Sequence, residues 1–267
     1  MIIQHNIASM NTNRQLGIVG GNLAKSTEKL SSGYRINRAG DDAAGLSISE
    51  KMRGQVRGLQ RASDNAQDGI SLIQTAEGAM DQQHAILQRA RELAVQAAND
   101  TNVTADRNAI SEELSALEAE FARITSQTEF NTMKLLNGDF SNKNLQVGAN
   151  KSQAISVTIS ATSMQSIKGS VSSHSDATAS IAKMDADITA LSTTRSKLGA
   201  LQNRLEYTVK NDDNAAENIQ ASESRIRDVD MADEMTRYSK ENILQQAATS
   251  MLAQANQSNQ SVLSLLG

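Results

Sequence analysis

Residues 52–94 read MRGQVRGLQRASDNAQDGISLIQTAEGAMDQQHAILQRARELA, and an apolar residue returns at every seventh position of this stretch. A strict heptad repeat predicts one long helix whose apolar side chains form a seam against a neighbouring helix. Val56 and Ile70 widen this seam. The heptad positions are Met52, Leu59, Ala66, Ile73, Met80, Leu87 and Ala94.

Two further stretches carry helical spacing. After the break NDTNVT, apolar residues recur four and three apart from Ile110 to Ile124, and a third series runs from Ile181 to Ile226. The first two helices are expected to form an antiparallel hairpin, with the third lying against them. Met, Leu and Ile dominate these series, and a bundle of long coiled-coil helices follows from them.

A different periodicity appears between the second and third helices. Leu145 and Val147 alternate with polar residues, a GANKS turn follows, and Ile155 and Val157 alternate again. Alternation around a turn is typical of a β-hairpin, here at about residues 143–160. The fold class is therefore mainly α, a rod-shaped bundle of long coiled-coil helices with one small β-hairpin.

The composition favours long helices, and it includes few of the large aromatic side chains that usually fill a core. The 267 residues include no Pro, no Cys and no Trp, and only 2% are aromatic. Average usage would supply about 5% Pro, the residue that interrupts helices. Without Cys there are no disulfides, thiol nucleophiles or thiolate-bound metals. Burial must depend on Ala, Leu, Ile, Val and Met.

Residues 242–267 contain no Asp, Glu, Lys or Arg, although charged residues make up 21% of the chain. Apolar residues recur there at helical spacing, and amides fill the remaining positions. An uncharged polar face indicates contact with protein on that side too, because amides are cheaper to bury than ions. A membrane span is the alternative, opposed by the many Gln and Asn residues. The predicted assembly residues are Ile243, Leu244, Ala247, Met251 and Leu252.

The N-terminus mirrors this pattern, because Arg14 is the only Asp, Glu, Lys or Arg in the first 24 residues. Leu16, Val19 and Leu23 follow at steps of three and four, which fits a coiled-coil seam. The terminal helices are therefore expected to pair as an inner coiled coil. Two uncharged amphipathic ends leave burial incomplete, and association with further copies of the chain would complete it.

Other functions find little support in the sequence. The net charge of −4 opposes nucleic-acid binding. His5, His84 and His174 are far apart and have no metal-ligand spacing, so no metal or cofactor is expected. No nucleophile–base pair or phosphate loop indicates an enzyme. The first residues lack the basic and apolar regions of a cleavable signal peptide.

Long motifs at both ends resemble the bacterial flagellins, the subunits of flagellar filaments. At the N-terminal side these are HNIASMNTNRQL and LSSGYRINRAGDDAAGLSIS, followed by ASDNAQDGISLIQTAEGAM. At the C-terminal side the stretch SRIRDVDMADEMTRYSKENILQQAATSMLAQANQSNQSVLSLL matches the family's terminal region. The resemblance covers nearly the whole chain and implies a short form without the variable outer domains.

The resemblance also implies a domain organisation and a location outside the cell. Residues 1–44 and 229–267 would form the inner core of the filament, and residues 45–228 the rod domain around it. The subunit would be secreted by the flagellar type III export apparatus with an export chaperone and become part of the extracellular flagellum. Its partners would be copies of itself, the flagellar cap and the hook–filament junction proteins, with neither nucleic acid binding nor membrane insertion.

A second implication of the resemblance concerns vertebrate innate immunity. The segment LQRARELAVQAAND resembles the flagellin surface that Toll-like receptor 5 recognises, with Arg89, Leu93 and Glu113 at the contact positions. In the family this surface overlaps the polymerisation surface, so the monomer would be recognised. The alternative is that Arg89 and Glu113 are solvated charges that serve only subunit packing.

Two other protein classes compete with this interpretation. A hook–filament junction protein shares the terminal helices, but the motifs at 30–49 and 87–100 oppose it. A signalling coiled coil such as the cytoplasmic part of a chemoreceptor would have charged helix ends and no β-hairpin.

Overall fold

Five helices account for most of the chain. The computed structural model describes residues 6–166 and 171–266. Two pairs of short strands lie between the third and fourth helices. In chain order the elements are α1 (Ile7–Ser32), α2 (Ala43–Ala97), α3 (Thr104–Gln127), β1 (Glu129–Phe130), β2 (Met133–Lys134), β3 (Lys143–Gln146), β4 (Ala154–Val157), α4 (His174–Arg227) and α5 (Met231–Leu266).

The heptad series of α2 forms the centre of the main core. Its positions from Ala66 to Ala94 are buried, and those from Ala66 to Leu87 join apolar side chains of α3, α4 and the strand region in one cluster. Between α2 and α4, Arg91 Nε lies 2.6 Å from Asp185 Oδ1 and Arg195 Nη1 lies 3.2 Å from Asp81 Oδ1. The predicted long helix and its seam are confirmed.

The predicted β-hairpin is present as β3 and β4, which pair antiparallel from Lys143 opposite Val157 to Gln146 opposite Ala154. A second antiparallel hairpin, β1–β2, was not predicted. It turns through Asn131 and Thr132, whose φ angles are 49° and 65°. Its strands are two residues long, too short for an alternation pattern to show in the sequence.

The contacts divide the chain into two compact units. One unit contains residues 1–54 together with 218–267, and the other contains residues 55–217. The first unit holds α1 and α5, which pack along each other, and the second holds the strands and the large apolar cluster. The assignment of residues 1–44 and 229–267 to the inner core of a filament stays a prediction.

In the first unit, the segment after α1 is hydrogen-bonded to the segment between α4 and α5. α1 ends at Gly33, whose φ of 74° suits a glycine C-cap. The Arg35 amide then donates to the Arg227 carbonyl at 2.7 Å, and the Val229 amide donates to the Gly33 carbonyl at 3.0 Å. These bonds flank a bridge between Tyr34 and Asp228. The C-terminal end of α1 and the N-terminal end of α5 are therefore held together at this bridge.

Two aspartates accept backbone hydrogen bonds at the start of α2. Asp42 Oδ1 accepts a hydrogen bond from the Gly45 amide at 2.9 Å, and Asp41 Oδ2 accepts from the Arg38 and Asn37 amides. Those backbone donors lower the pKa of Asp41. In the described part of the chain, no helix combines the length and apolarity that crossing a membrane requires.

Candidate functional site

The α1 side of the terminal pair follows the predicted seam. Leu16, Val19 and Leu23 are half-buried, and the series extends in both directions at steps of three and four. At the open end of the pair, Asn6 Nδ2 donates to the Ala255 carbonyl at 2.9 Å. Ser9 Oγ donates to Asn256 Oδ1 at 2.7 Å. The helices therefore run antiparallel, and α1 continues through Gly20 and Gly21 without a break.

The α5 side of the seam is more polar than the α1 side. Half-buried residues recur there at steps of three and four, as in a coiled coil. Only some of them are apolar, and Leu252 is the single member shared with the predicted assembly set. This α5 seam consists of Tyr238, Glu241, Gln245, Ala248, Leu252 and Ala255.

The other four predicted α5 residues point away from α1. Ile243 is 66% exposed and Met251 is 62% exposed, while Leu244 and Ala247 also belong to the exposed class. These four residues are called the outer stripe of α5. The expected pairing of the terminal helices is present, but these four residues lie outside it. The apolar positions of α5 occupy two adjacent stripes, and α1 covers only one of them. On α1, Ile7 and Met10 are similarly exposed.

Two carboxylates of α5, one in the seam and one just before it, were missed by the sequence analysis. Glu234 is buried, and its nearest cation is the mostly exposed Arg237 at 3.8 Å. Seven residues later, the Oε2 atom of Glu241 is buried without a hydrogen-bond partner among the described residues. The seven-residue spacing between them was the available signal. Carboxylates at these positions weaken the pair.

The second predicted surface joins α2 and α3 within the unit of residues 55–217. Arg89 lies on α2 and donates from Nε and Nη2 to Glu113 Oε1 on α3, at 3.0 and 2.9 Å. Its Nη1 atom also donates to Glu92 Oε2 at 3.3 Å. The hydrogen bond and charge of Glu113 raise the pKa of Arg89. Arg89, Glu92 and Glu113 are called the Arg89 cluster.

The structure separates Leu93 from this cluster. Leu93 is 2% exposed and belongs to the main apolar core, whereas the side chains of Arg89 and Glu113 are about half exposed. A spacing of four residues places Arg89 and Leu93 on neighbouring positions of α2, but one faces solvent and the other faces the core. Leu93 therefore supports the surface from beneath, and Glu92 is the residue that the sequence analysis missed.

His84 and His174, the histidines within the described residues, form no common site. His84 Nε2 lies 2.9 Å from the side-chain nitrogen of Gln88, and His174 Nδ1 lies 2.6 Å from the Ala98 carbonyl. His5 is outside the described residues. Among residues 6–166 and 171–266, no three His, Asp or Glu side chains come together in a way that could hold a metal ion.

Comparison with known proteins gives matches at both ends of the chain. The model of the bacterial flagellin N-terminal helical region matches residues 3–141, and that of the bacterial flagellin C-terminal helical region matches residues 181–266. The matched stretches include α1, α2, α3, α5 and most of α4. Residues 142–180, which contain β3 and β4, lie between the two matches.

Relatives align along the full length. A flagellin from Halalkalibacterium halodurans is 55% identical over 271 residues, and a flagellin from Bacillus subtilis is 50% identical over 303 residues. The flagellar filament 33 kDa core protein of Treponema phagedenis is 47% identical over 285 residues. In all three alignments the coverage is 100% of this chain and 100% of the relative.

Proposed function

The chain belongs to the bacterial flagellin family and is a structural subunit of the flagellar filament; from this premise we propose how it assembles, where it acts and what recognises it. Its filament is the helical propeller of a swimming bacterium. The observation that carries the assembly proposal is the outer stripe of α5. Large apolar side chains stay exposed there after α1 and α5 have paired, so the isolated chain has surface that only another protein can cover.

The occupant of this surface is a further copy of the chain. Residues 1–44 and 229–267 form the inner core of the filament, and residues 45–228 surround it as the rod domain. Ile243, Leu244, Ala247 and Met251 meet neighbouring subunits, whereas Leu16, Val19, Leu23 and Leu252 hold each subunit's own helix pair together. This division of work follows from which side chains α1 covers.

Family membership supports the remaining partners. The subunit is secreted through the flagellar type III export apparatus, accompanied to it by an export chaperone, and acts outside the cell. In the flagellum it adjoins the hook–filament junction proteins at the base and the cap at the growing end. The chain's role is structural, and no catalysis is assigned to it.

Vertebrate Toll-like receptor 5 recognises the monomer through the Arg89 cluster. The support is geometric, since two carboxylates hold the exposed guanidinium in one orientation before any partner arrives. A side chain ordered in advance loses less freedom on binding. Leu93 fixes the underlying turn of α2 from the core.

Deletion of residues 243–267 tests the assembly proposal. Seeded polymerisation followed by electron microscopy should show tubes of uniform diameter for the full chain and none for the deletion variant. Circular dichroism should show that the deletion variant keeps the helical unit of residues 55–217, because α5 lies in the other unit. Normal filaments from the deletion variant would contradict the role given to the outer stripe.

A further inference from the structure

Tyr207 is an exception among the aromatic residues of this chain. The sequence has three Tyr, three Phe and no Trp. Phe121 and Phe140 are buried, and Phe130, Tyr34 and Tyr238 are half-buried. Tyr207 is 72% exposed on α4, although large aromatic side chains gain most from burial. An aromatic ring left in solvent marks a contact that the isolated chain does not make.

One cation lies over this ring and a second lies one helical turn away. Lys210 Nζ lies 5.7 Å from the Tyr207 ring centroid, within the range of a cation–π contact. Arg204 lies one turn earlier and lines the same face of α4. Neither Arg204 nor Lys210 forms an ion pair with a residue in the described part of the chain. Arg204, Tyr207 and Lys210 are called the Tyr207 knob, a protruding ring with unpaired positive charge on both sides.

A groove of complementary character lies elsewhere in the same unit. It runs between α3 and the segment after β4, and its volume of about 260 Å³ falls below the size of a typical small-molecule site. Its walls combine apolar surface with hydroxyls, and Glu118 lies at its edge. The Oε2 atom of Glu118 is buried and has no hydrogen-bond partner among the described residues. This Glu118 groove is lined by Glu118, Phe121, Ala122, Thr125, Thr162, Ser163 and Met164.

The two features complement each other in shape and charge. One Tyr side chain fills a groove of this size, with its ring against Phe121 and Met164. Its hydroxyl can then reach the hydroxyls of Thr125 and Thr162. The half-buried Glu118 carboxylate gives the groove a negative charge, opposite in sign to Arg204 and Lys210. The net charges agree, since α3 carries more acidic than basic residues and the stretch 195–210 carries more basic ones.

The knob cannot reach the groove of its own chain. Leu191 and Thr194 are the α4 residues that approach this level, because they line a cavity that shares Phe121 and Thr162 with the Glu118 groove. α4 is continuous from His174 to Arg227. At about 1.5 Å per residue, Tyr207 lies about 20 Å further along the helix than Thr194. A Tyr207 side chain that enters the groove must therefore come from another molecule.

We propose that the Tyr207 knob of one subunit inserts into the Glu118 groove of a neighbouring subunit. The contact rests on the proposed filament assembly and specifies one of its interfaces. Because knob and groove are different surfaces, the contact is heterologous, so each copy offers a free knob and a free groove to the next. Repetition of such a contact produces an open polymer. The knob and the groove both belong to the unit of residues 55–217, whereas the outer stripe of α5 belongs to the other unit.

Substitution of the ring is the first test. In seeded elongation assays, Tyr207→Ala should slow growth by about tenfold or more, as expected for a central aromatic anchor. Tyr207→Phe keeps the ring and should retain most of the growth. Thermal unfolding of both monomers should match the parent, because the ring is exposed. Unchanged elongation by Tyr207→Ala would overturn the proposal, and would also be the result if a small amine or another protein occupies the groove.

Charge reversal provides a test that does not depend on the ring. Glu118→Lys and Arg204→Glu should each slow elongation by about tenfold, and the double variant should recover because every contact regains opposite charges. Glu112→Lys is the matched control, since it makes the same change at an exposed α3 position outside the groove. A double variant that grows no better than the single variants would overturn the contact.

The outcomes separate this inference from the proposed function. If the full chain fails to elongate from seeds, filament assembly itself is refuted. If the full chain elongates, deletion of residues 243–267 prevents growth and Tyr207→Ala has no effect, assembly stands and only the knob–groove contact is wrong.

Discussion

Arg89 owes its orientation to two carboxylates on two helices. Glu113 receives two of its N–H groups and Glu92 receives a third, so the guanidinium is positioned without help from a bound partner. The same contacts raise the pKa of Arg89, and a guanidinium is charged at any physiological pH even without them. A receptor would meet an ordered positive charge beside an acidic rim.

Replacement of Arg89 tests whether this order serves recognition. Arg89→Ala should lower receptor activation by soluble monomer by about tenfold or more, since arginine is a common hot spot at interfaces. A cell line carrying Toll-like receptor 5 and a reporter gene gives the measurement. Arg61→Ala is the matched control, because Arg61 is exposed on the same helix and pairs only with Asp64 among the described residues. Equal activation by the two variants would refute the assignment.

Asp212 is a second residue whose environment has a measurable consequence. It occupies a seam position of α4, seven residues after Leu205, and is 5% exposed. Its Oδ2 atom has no hydrogen-bond partner among the described residues. Burial and the neighbouring charge of Asp213 raise its pKa above the ordinary value of 3.8. The folded chain therefore binds this proton more tightly than the unfolded chain does.

The sign of the resulting pH dependence follows from linkage. The charged form destabilises the native state, and this penalty grows as pH rises from the unfolded pKa through the folded pKa. Asp212→Asn should raise the free energy of unfolding at pH 7 by about 1 kcal/mol. The gain should disappear below pH 3.8, which thermal unfolding between pH 3 and 7 can measure. Asp213→Asn, at an exposed position, is the control, and a larger gain from it would contradict this account.

At the scale of elements, α5 carries two apolar stripes with different tasks. One includes Leu252 and faces α1, and the other contains Ile243 and Met251 and faces away. The second stripe has no cover within the described chain. The terminal helices therefore pack fully against each other, but the pair still exposes an apolar surface to solvent.

Lysine substitutions separate the two stripes. Met251→Lys should leave monomer unfolding unchanged and stop filament growth, because the charge enters only the contact between subunits. Leu252→Lys should disturb both, because Leu252 belongs to the α1–α5 seam. Gln257→Lys, at an exposed polar position, should be tolerated best. Seeded elongation and thermal unfolding give the two readouts, and equal tolerance at all three positions would show that the buried face is misassigned.

The helices differ in how well the sequence predicts them. In α2 an apolar residue occupies every position of one strict heptad, so the centre of the buried face follows directly, as Ile73, Met80 and Leu87 show. In α5 apolar residues fill two adjacent stripes, and which one α1 covers depends on the partner helix. The same limit applies to Leu93 and Arg89, whose spacing places them near each other without fixing which faces solvent. The β1–β2 hairpin depends on the local turn geometry at Asn131, and its strands are too short for a hydrophobic periodicity to reveal it.

At the scale of the whole molecule, recognition and assembly are proposed to compete for one surface. The Arg89 cluster is accessible in the isolated chain. If the cluster also takes part in subunit packing, burial among neighbours would withdraw it from a receptor. The assembled and free states of the same chain would then differ in what they expose.

Filaments and monomers of equal mass test this competition. Intact, sedimented filaments should activate the receptor reporter about tenfold less than the same preparation after depolymerisation by heat. Filaments cross-linked before heating are the control, since they should stay inactive. Activation by cross-linked filaments equal to that of monomers would show that the Arg89 cluster is accessible in the polymer.

The antiparallel pair of α1 and α5 also sets the order in which a subunit is finished. Asn6 bonds to Ala255, so the pair joins residues from opposite ends of the chain. A polypeptide delivered from one end to the other cannot make this contact until nearly all of it has arrived. If the subunit is exported as proposed, the α1–α5 pair and the outer stripe of α5 can therefore form only after nearly the whole chain has arrived.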